Sequence, residues 1–321
     1  MIISTLRSFG GPEVLDLAEV PAPVPAPHEI VISVRAAGVN RADVLQREGH
    51  YPPPPGAPEW PGLEVAGEVA AVGEAVSRWQ EGDAVCALLA GGGYAQGVAV
   101  HEDLVLPMPS GLTWEEGGGI VEAACTVWST LQAADARAGE TLLVEGGSGG
   151  VGHLAIQIAR AHGMRVLATA RGPERAARCA DLGATGVDHS AGDVVDRVRD
   201  AGGADVILDV LGAAALADHL SMLRPDGRLA VIGLQRGARG ELDLGRLLSL
   251  RARVIGTTLR ARPHEQKAAI IRAVERDVWP HVPDAVRPVI HAAYPLAEAS
   301  EAHRALEGGD VFGKVVLTPP G

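Results

Sequence analysis

The chain has 321 residues, enough for two domains, with 47% hydrophobic and 21% charged residues, the balance of a protein folded around its own core. Lys plus Arg number 28 and Asp plus Glu 40, a formal net charge of −12 that argues against nucleic acid or an anionic membrane as partner. No apolar run approaches the roughly 18 residues of a membrane span and no signal peptide is visible, while Cys86, Cys125 and Cys179 are too few for a disulfide scaffold or a four-cysteine zinc site, which points to a reducing cytoplasm.

Before residue 120, short apolar runs are broken by Gly and Pro. Ile30–Val34, Val65–Val72 and Gly97–Val100 predict short strands, and the proline-rich run Val20–Pro27 an extended connector. From residue 137 the pattern alternates. Thr141–Glu145, Arg165–Ala170, Ala204–Val210, Arg228–Gly233 and Arg253–Thr258 predict strands. Between them, Val151, Leu154, Ala155, Ile158 and Ala159 share one helical face, and Pro173–Leu182, Val194–Ala201, Ala213–Leu223 and Leu242–Leu250 predict further helices. Apolar strands spaced by helices predict a doubly wound parallel sheet covered on both faces. A helix near Glu265–Val278, a strand near Val286–Ala292, a helix near Leu296–Leu306 and a strand Lys314–Leu317 are expected to return and complete the first domain. As the last strand of the sheet, Arg253–Thr258 suits edge-to-edge pairing, so a homodimer is expected.

The sharpest local signal is the run from Thr141 to Gly152, in which Gly147, Gly149 and Gly152 fit G-x-G-x-x-G between a strand and a helix. Such a turn brings the backbone N–H groups of Gly147, Ser148, Gly149, Gly150, Val151 and Gly152 close to a diphosphate, and the helix N-terminus adds partial positive charge. A structural glycine turn, or a nucleoside ligand other than a nicotinamide, are the competing readings. No acid occurs between Glu145 and Glu174 to accept from a ribose hydroxyl. Arg171 and Arg175 stand where a 2′-phosphate would lie, so the pattern reads NADPH over NADH.

Four stretches, Gly38–Gly56, Pro61–Gly73, the glycine turn and Phe312–Leu317, resemble the medium-chain dehydrogenase/reductase superfamily. Within it they are similar to the zinc-free, zeta-crystallin-like NADPH quinone oxidoreductases, in particular the tumour-suppressor-inducible branch. The resemblance implies an α/β chain with a GroES-like, β-rich catalytic domain (1–122 and 262–321) and a Rossmann NADPH-binding domain (123–261). Asn40 and Leu63 stand where zinc alcohol dehydrogenases carry a cysteine and a histidine ligand, and Ala90–Tyr94 replaces their four-cysteine lobe. No metal is therefore expected.

The resemblance carries over to single positions. Asn40 would face nicotinamide and substrate, Tyr51 would close over the acceptor, and Asp43 would orient neighbours or cap the helix beginning there. Thr126 would lie near the nicotinamide ribose and His189 near the adenosine phosphate. Leu211, Gly233 and Leu259 are expected at strand ends on the cofactor side, and Phe312 and Lys314 reaching the nicotinamide and phosphates. Glu64 is expected to hold its domain together through an ion pair. His153, His162, His219, His264, His281, His291 and His303 show no metal-ligand spacing and read as surface or helix residues. The implied activity is NADPH-dependent, metal-independent reduction of a quinone by hydride or single electrons. Reduction of a conjugated carbon–carbon double bond and a cofactor-binding protein with little turnover are the alternatives.

Overall fold

A computed structural model describes residues 1–320. The chain divides into two compact units, Met1–Cys125 with Leu259–Gly321, and Thr126–Thr258.

The second unit is a 6-stranded sheet in the order Thr185–Asp188, Arg165–Ala170, Thr141–Val144, Ala204–Asp209, Leu223–Val231, Arg253–Gly256, with every pair parallel. Numbered along the unit this order is 3-2-1-4-5-6, the doubly wound arrangement of a Rossmann domain. Leu142, Leu143, Val206, Ile207 and Leu208 are fully buried, as strands covered on both faces must be. The winding reverses between Thr141–Val144 and Ala204–Asp209, and such folds bind ligands beyond the carboxyl ends of those two strands.

The first unit carries a 7-stranded sheet: Ile290–Pro295, Lys314–Thr318, Glu29–Val39, Glu64–Val72, Ala84–Leu88 and Val105–Pro107 in that order, with Gly97–His101 also paired to Glu29–Val39. The C-terminal strand runs antiparallel to Glu29–Val39, setting Val315 opposite Val39, so the chain's end completes a sheet begun by its start.

Two expectations are corrected and one helix is added. The stretch Ala213–Leu223 is a 3-10 turn, Ala213–Ala215, followed by the helix Leu216–Met222, and Leu223 already belongs to the next strand. The strand expected at Val286–Ala292 lies at Ile290–Pro295, beyond Pro288, which has no N–H to give a ladder. The helix Val121–Ala133 had no counterpart in the reading, because its apolar residues lie on all sides and leave no stripe to detect.

Candidate functional site

Asn40 follows the strand Glu29–Val39 and opens the helix Arg41–Arg47. Its side chain is fixed from both ends: Nδ2 donates to Glu64 Oε1 at 2.9 Å, and Oδ1 accepts from Lys314 Nζ at 2.6 Å. Lys314 Nζ also donates to Glu64 Oε1 at 2.6 Å, and Glu64 Oε2 accepts from Glu122 N at 3.0 Å. Exposure is 0% for Glu64, 1% for Lys314 and 8% for Asn40, so only the amide keeps an edge toward solvent. Gly38 makes room for this cluster. A Cβ there would lie 2.3 Å from Glu64 Oε1 and 2.6 Å from the Gly118 carbonyl.

Asp43 is fully buried; it caps the helix and positions its neighbours, the two roles expected of it, and no face of it is left for direct catalysis. Its carboxylate accepts from Asn40 N at 2.8 Å and Gly62 N at 3.0 Å, locking the helix start to the loop before Glu64. Burial pushes this carboxyl up to about 6, against those N–H donors and the charges of Lys314 and Arg260. Behind it runs a buried chain. Arg47 binds Glu307 through both terminal nitrogens at 2.7 and 2.9 Å, and its Nη1 lies 3.4 Å from His303 Nδ1. An acceptor at Nδ1 places the His303 proton on Nε2, which faces the Tyr94 oxygen at 3.0 Å; the Tyr94 hydroxyl then donates to Asp43 at 3.3 Å. Burial lowers His303 to about 3, with Arg47 adding to the effect, so this imidazole is neutral.

Tyr51 is half-buried, and burial raises its phenol above the ordinary value, keeping the hydroxyl protonated at neutral pH. Arg260, which no spacing or motif singles out, fixes its position. The guanidinium donates to Ala90 O at 2.7 Å, Tyr51 O at 3.1 Å and Gln46 Oε1 at 2.7 Å, and lies 5.1 Å from the Tyr51 ring centroid. Leu259 belongs to this first unit, where it lines a small cavity with Leu63, Leu89, Glu122 and Arg260, rather than to a strand end of the parallel sheet. Phe312 is buried inside this unit at 2% exposure. Lys314 departs from the expected contact with phosphates: it is 1% exposed and its ammonium is committed to Asn40 and Glu64.

In the second unit the glycine turn is braced from below. Gly146 N donates to Thr169 Oγ1 at 3.0 Å and Gly147 N to Thr169 O at 2.7 Å. Above this brace, the N–H groups of Ser148, Gly150 and Val151 have no acceptor among the described residues, and they open the helix Gly152–Ala161. Unpaired donors at a helix N-terminus fit a diphosphate. A Cβ on Gly152 would lie 2.1 Å from the Gly146 carbonyl oxygen, so the turn closes only on glycine. Beneath it, Thr169 Oγ1 donates to Glu145 Oε2 at 2.5 Å, and Glu145 Oε1 meets His219 Nε2 at 3.2 Å. His219 Nδ1 lies 4.0 Å from Asp209, whose carboxylate accepts from the N–H groups of Leu211 and Gly212. Glu145, His219 and Asp209 thus lie together in the interior where the winding reverses, with His219 Nδ1 making no hydrogen bond among the described residues. They come from separate elements with no common spacing.

Arg171 is exposed just past the strand Arg165–Ala170, and Arg175 is half-buried on the helix Pro173–Asp181. The linear gap in acids is closed in three dimensions, because Asp188 registers beside Ala170. Its Oδ1 accepts from Gly172 N, Ser190 N and Ser190 Oγ at 2.6–2.9 Å, and the Ser190 bonds hold the carboxyl below the usual carboxylate range. His189 next to it is exposed, while Thr126, Leu211 and Gly233 are half-buried. His153, His219 and His303 lie on helices, as expected, and are fully buried there, and His264 meets His101 and Asp103.

Residues 26–110 match the alcohol dehydrogenase GroES-like domain, and residues 150–276 match the zinc-binding dehydrogenase family. The chain is 36% identical to the quinone oxidoreductase of Mus musculus over 324 residues, covering 96% of this chain and 95% of that protein. The chain belongs to the zeta-crystallin-like quinone oxidoreductase family. Among solved structures of similar proteins, the quinone oxidoreductase of Thermus thermophilus, also determined with NADPH, has a TM-score of 0.86 at 34% identity, covering 99% of this chain and 100% of that one. An NAD-dependent alcohol dehydrogenase has a TM-score of 0.87 at 31% identity, with 99% of each chain covered. The zinc in one family name does not suit the donors around Asn40. An amide and a hydrocarbon side chain, Leu63, replace zinc-binding side chains, and the neighbouring carboxylate already holds the Lys314 ammonium, which would repel a divalent cation. Among the described residues no helix is long and apolar enough to cross a membrane.

Proposed function

We propose that the protein is an NADPH-dependent, metal-independent quinone reductase. The observation that carries this reading is the set of unpaired N–H donors at Ser148, Gly150 and Val151, placed where the winding of the parallel sheet reverses. These groups hold the diphosphate, Arg171 and Arg175 take the 2′-phosphate, and Thr126, His189, Leu211 and Gly233 line the rest of the nucleotide. Bound NADPH supplies the reducing equivalents. In the first unit, Asn40 keeps an N–H beyond its bond to Glu64, and with Lys314 on Oδ1 the amide cannot flip; that N–H orients an acceptor oxygen. The Tyr51 ring, held by Arg260, stacks on a flat acceptor, and its protonated hydroxyl gives a hydrogen bond or a proton as oxyanion charge develops. A quinone is already electrophilic and needs no Lewis acid.

Steady-state oxidation of NADPH and NADH, each with a small quinone and with a conjugated enone, tests this reading. A quinone rate with NADPH about tenfold or more above that with NADH is expected, lost in Arg171→Ala, since a charge-assisted hydrogen bond contributes about 1.5–3 kcal/mol. Equal rates with both coenzymes would remove the role given to Arg171, and turnover of the enone alone would select the double-bond reductase. The exposed edge strand Arg253–Gly256, with Val254 at 42% exposure, supports pairing with a second copy, and a monomeric mass by light scattering would contradict it.

A further inference from the structure

Away from the residues given a role above, the first unit gathers two imidazoles and a carboxylate from distant parts of the chain. His101 ends the strand Gly97–His101, Asp103 lies in the 3-10 turn Glu102–Leu104, and His264 is the first residue of the helix His264–Asp277. One donor atom of each lies within 4.8 Å of the other two. Asp103 Oδ2 is the hub, 3.2 Å from His264 Nε2 and 3.7 Å from His101 Nδ1. The His101 and His264 rings stand 4.2 Å apart at 57°.

These separations suit a four-coordinate ion. With metal–nitrogen and metal–oxygen bonds of about 2.0–2.2 Å, ligand atoms at the corners of a tetrahedron lie about 3.3 Å from one another. Two of the three edges are therefore nearly formed before any ion enters. Asp103 N donates to His101 Nδ1 at 3.2 Å, which puts the imidazole proton on Nε2; an ion bound at Nδ1 takes over this one lone pair, and the Asp103 N–H at the exposed turn passes to water. The turn is braced around them: Glu102 N donates to His28 O, the Glu102 carboxylate accepts from Ser77 N and Arg78 N, and the strand holds His101 opposite Glu29. His28 stacks on His101 at 5.8 Å.

We propose that His101, Asp103 and His264 form a site for a divalent transition-metal ion of the zinc class, with water completing the shell. Nitrogen donors select zinc, cobalt or nickel over magnesium and calcium, which require oxygen. Asp103 and His264 are 161 residues apart in the chain, so the ion clasps the returning C-terminal segment to the N-terminal part of the unit. The clasp shares no residue with the Asn40–Glu64–Lys314 cluster. Its effect is on stability, and it stands whether or not the proposed reaction is correct.

The test uses the full chain freed of any affinity tag and stripped with a chelator. Titration with Zn²⁺ should show one saturable site and raise the thermal midpoint by about 3 °C or more. Co²⁺ should give the intense visible bands of a four-coordinate ion, and Mg²⁺ should do neither. His264→Gln, His101→Gln and Asp103→Asn should each weaken Zn²⁺ binding by at least the roughly 10–100-fold that loss of a mere outer-shell partner costs. All three side chains are partly exposed, so the variants should fold, which unchanged NADPH oxidation without metal would report. No saturable Zn²⁺ binding, or a midpoint rise that persists in the His101→Gln/His264→Gln double variant, would overturn the assignment and leave Asp103–His264 as an ion pair at a helix end.

Discussion

Lys314 and Glu64 face each other at 2.6 Å in the interior of the first unit, at 1% and 0% exposure. Breaking such a pair from one side leaves a charge stranded away from water, which costs about 3–5 kcal/mol. Lys314→Met should therefore destabilise the chain by about that amount in urea unfolding, and Glu64→Leu/Lys314→Met should recover most of it. The double variant should nonetheless lose turnover, because the Asn40 amide is no longer held. A Lys314→Met chain as stable as its parent would show that the pair does not organise this site.

The glycine turn allows a paired comparison. A methyl group on Gly152 meets the backbone oxygen of Gly146 at 2.1 Å, whereas one on Gly149 has the same oxygen at 3.3 Å. Overpacking against backbone costs about 1–3 kcal/mol. NADPH titration should find Gly152→Ala roughly 10–100-fold weaker and Gly149→Ala within about threefold of the parent. The reverse order would mean that turn closure does not set affinity.

Asp43 titrates in the direction opposite to a salt-bridged carboxylate. Its pKa is raised from 3.8 to about 6, so between those values the folded chain binds more protons than the unfolded one. The stability it contributes is complete at low pH and is lost as pH rises through about 6, a cost of about 3 kcal/mol on the neutral side. Asp43→Asn removes this dependence. The stability of the parent minus that of the variant should fall between about pH 4 and pH 7, and a flat difference would refute the shift. Asparagine presents an N–H to one of the two backbone donors at Asn40 and Gly62, so a constant offset is expected beneath the pH-dependent part.

The parallel sheet was legible because its strands are continuous apolar runs and its helices recur between them. Gly147, Gly149 and Gly152 were legible as a motif because glycines at this spacing between a strand and a helix mark a tight turn, although Gly149 alone of the three leaves room for a methyl group. What stayed hidden was side-chain partnership across long separations. Asn40 could be placed at the site, but not the Lys314 ammonium that fixes its amide. Tyr51 could be named, but not Arg260 beneath it. The absence of an acid near the second strand held along the chain and failed in space, where the adjacent strand delivers Asp188. Glu145, His219 and Asp209 look ordinary apart and form one buried charged cluster only when the sheet brings its strand ends together.

The strand that seats Lys314 follows the whole of Thr126–Thr258 in the chain, while its partners Ala37–Val39 precede it. The segment before Thr126 emerges from the ribosome first yet cannot close its sheet until Lys314–Thr318 follows. The intervening stretch Thr126–Thr258 is contiguous and has every strand of its own sheet in hand well before then. Order along the chain and order of folding thus differ: the inserted unit has all its strands before the unit that encloses it can be finished.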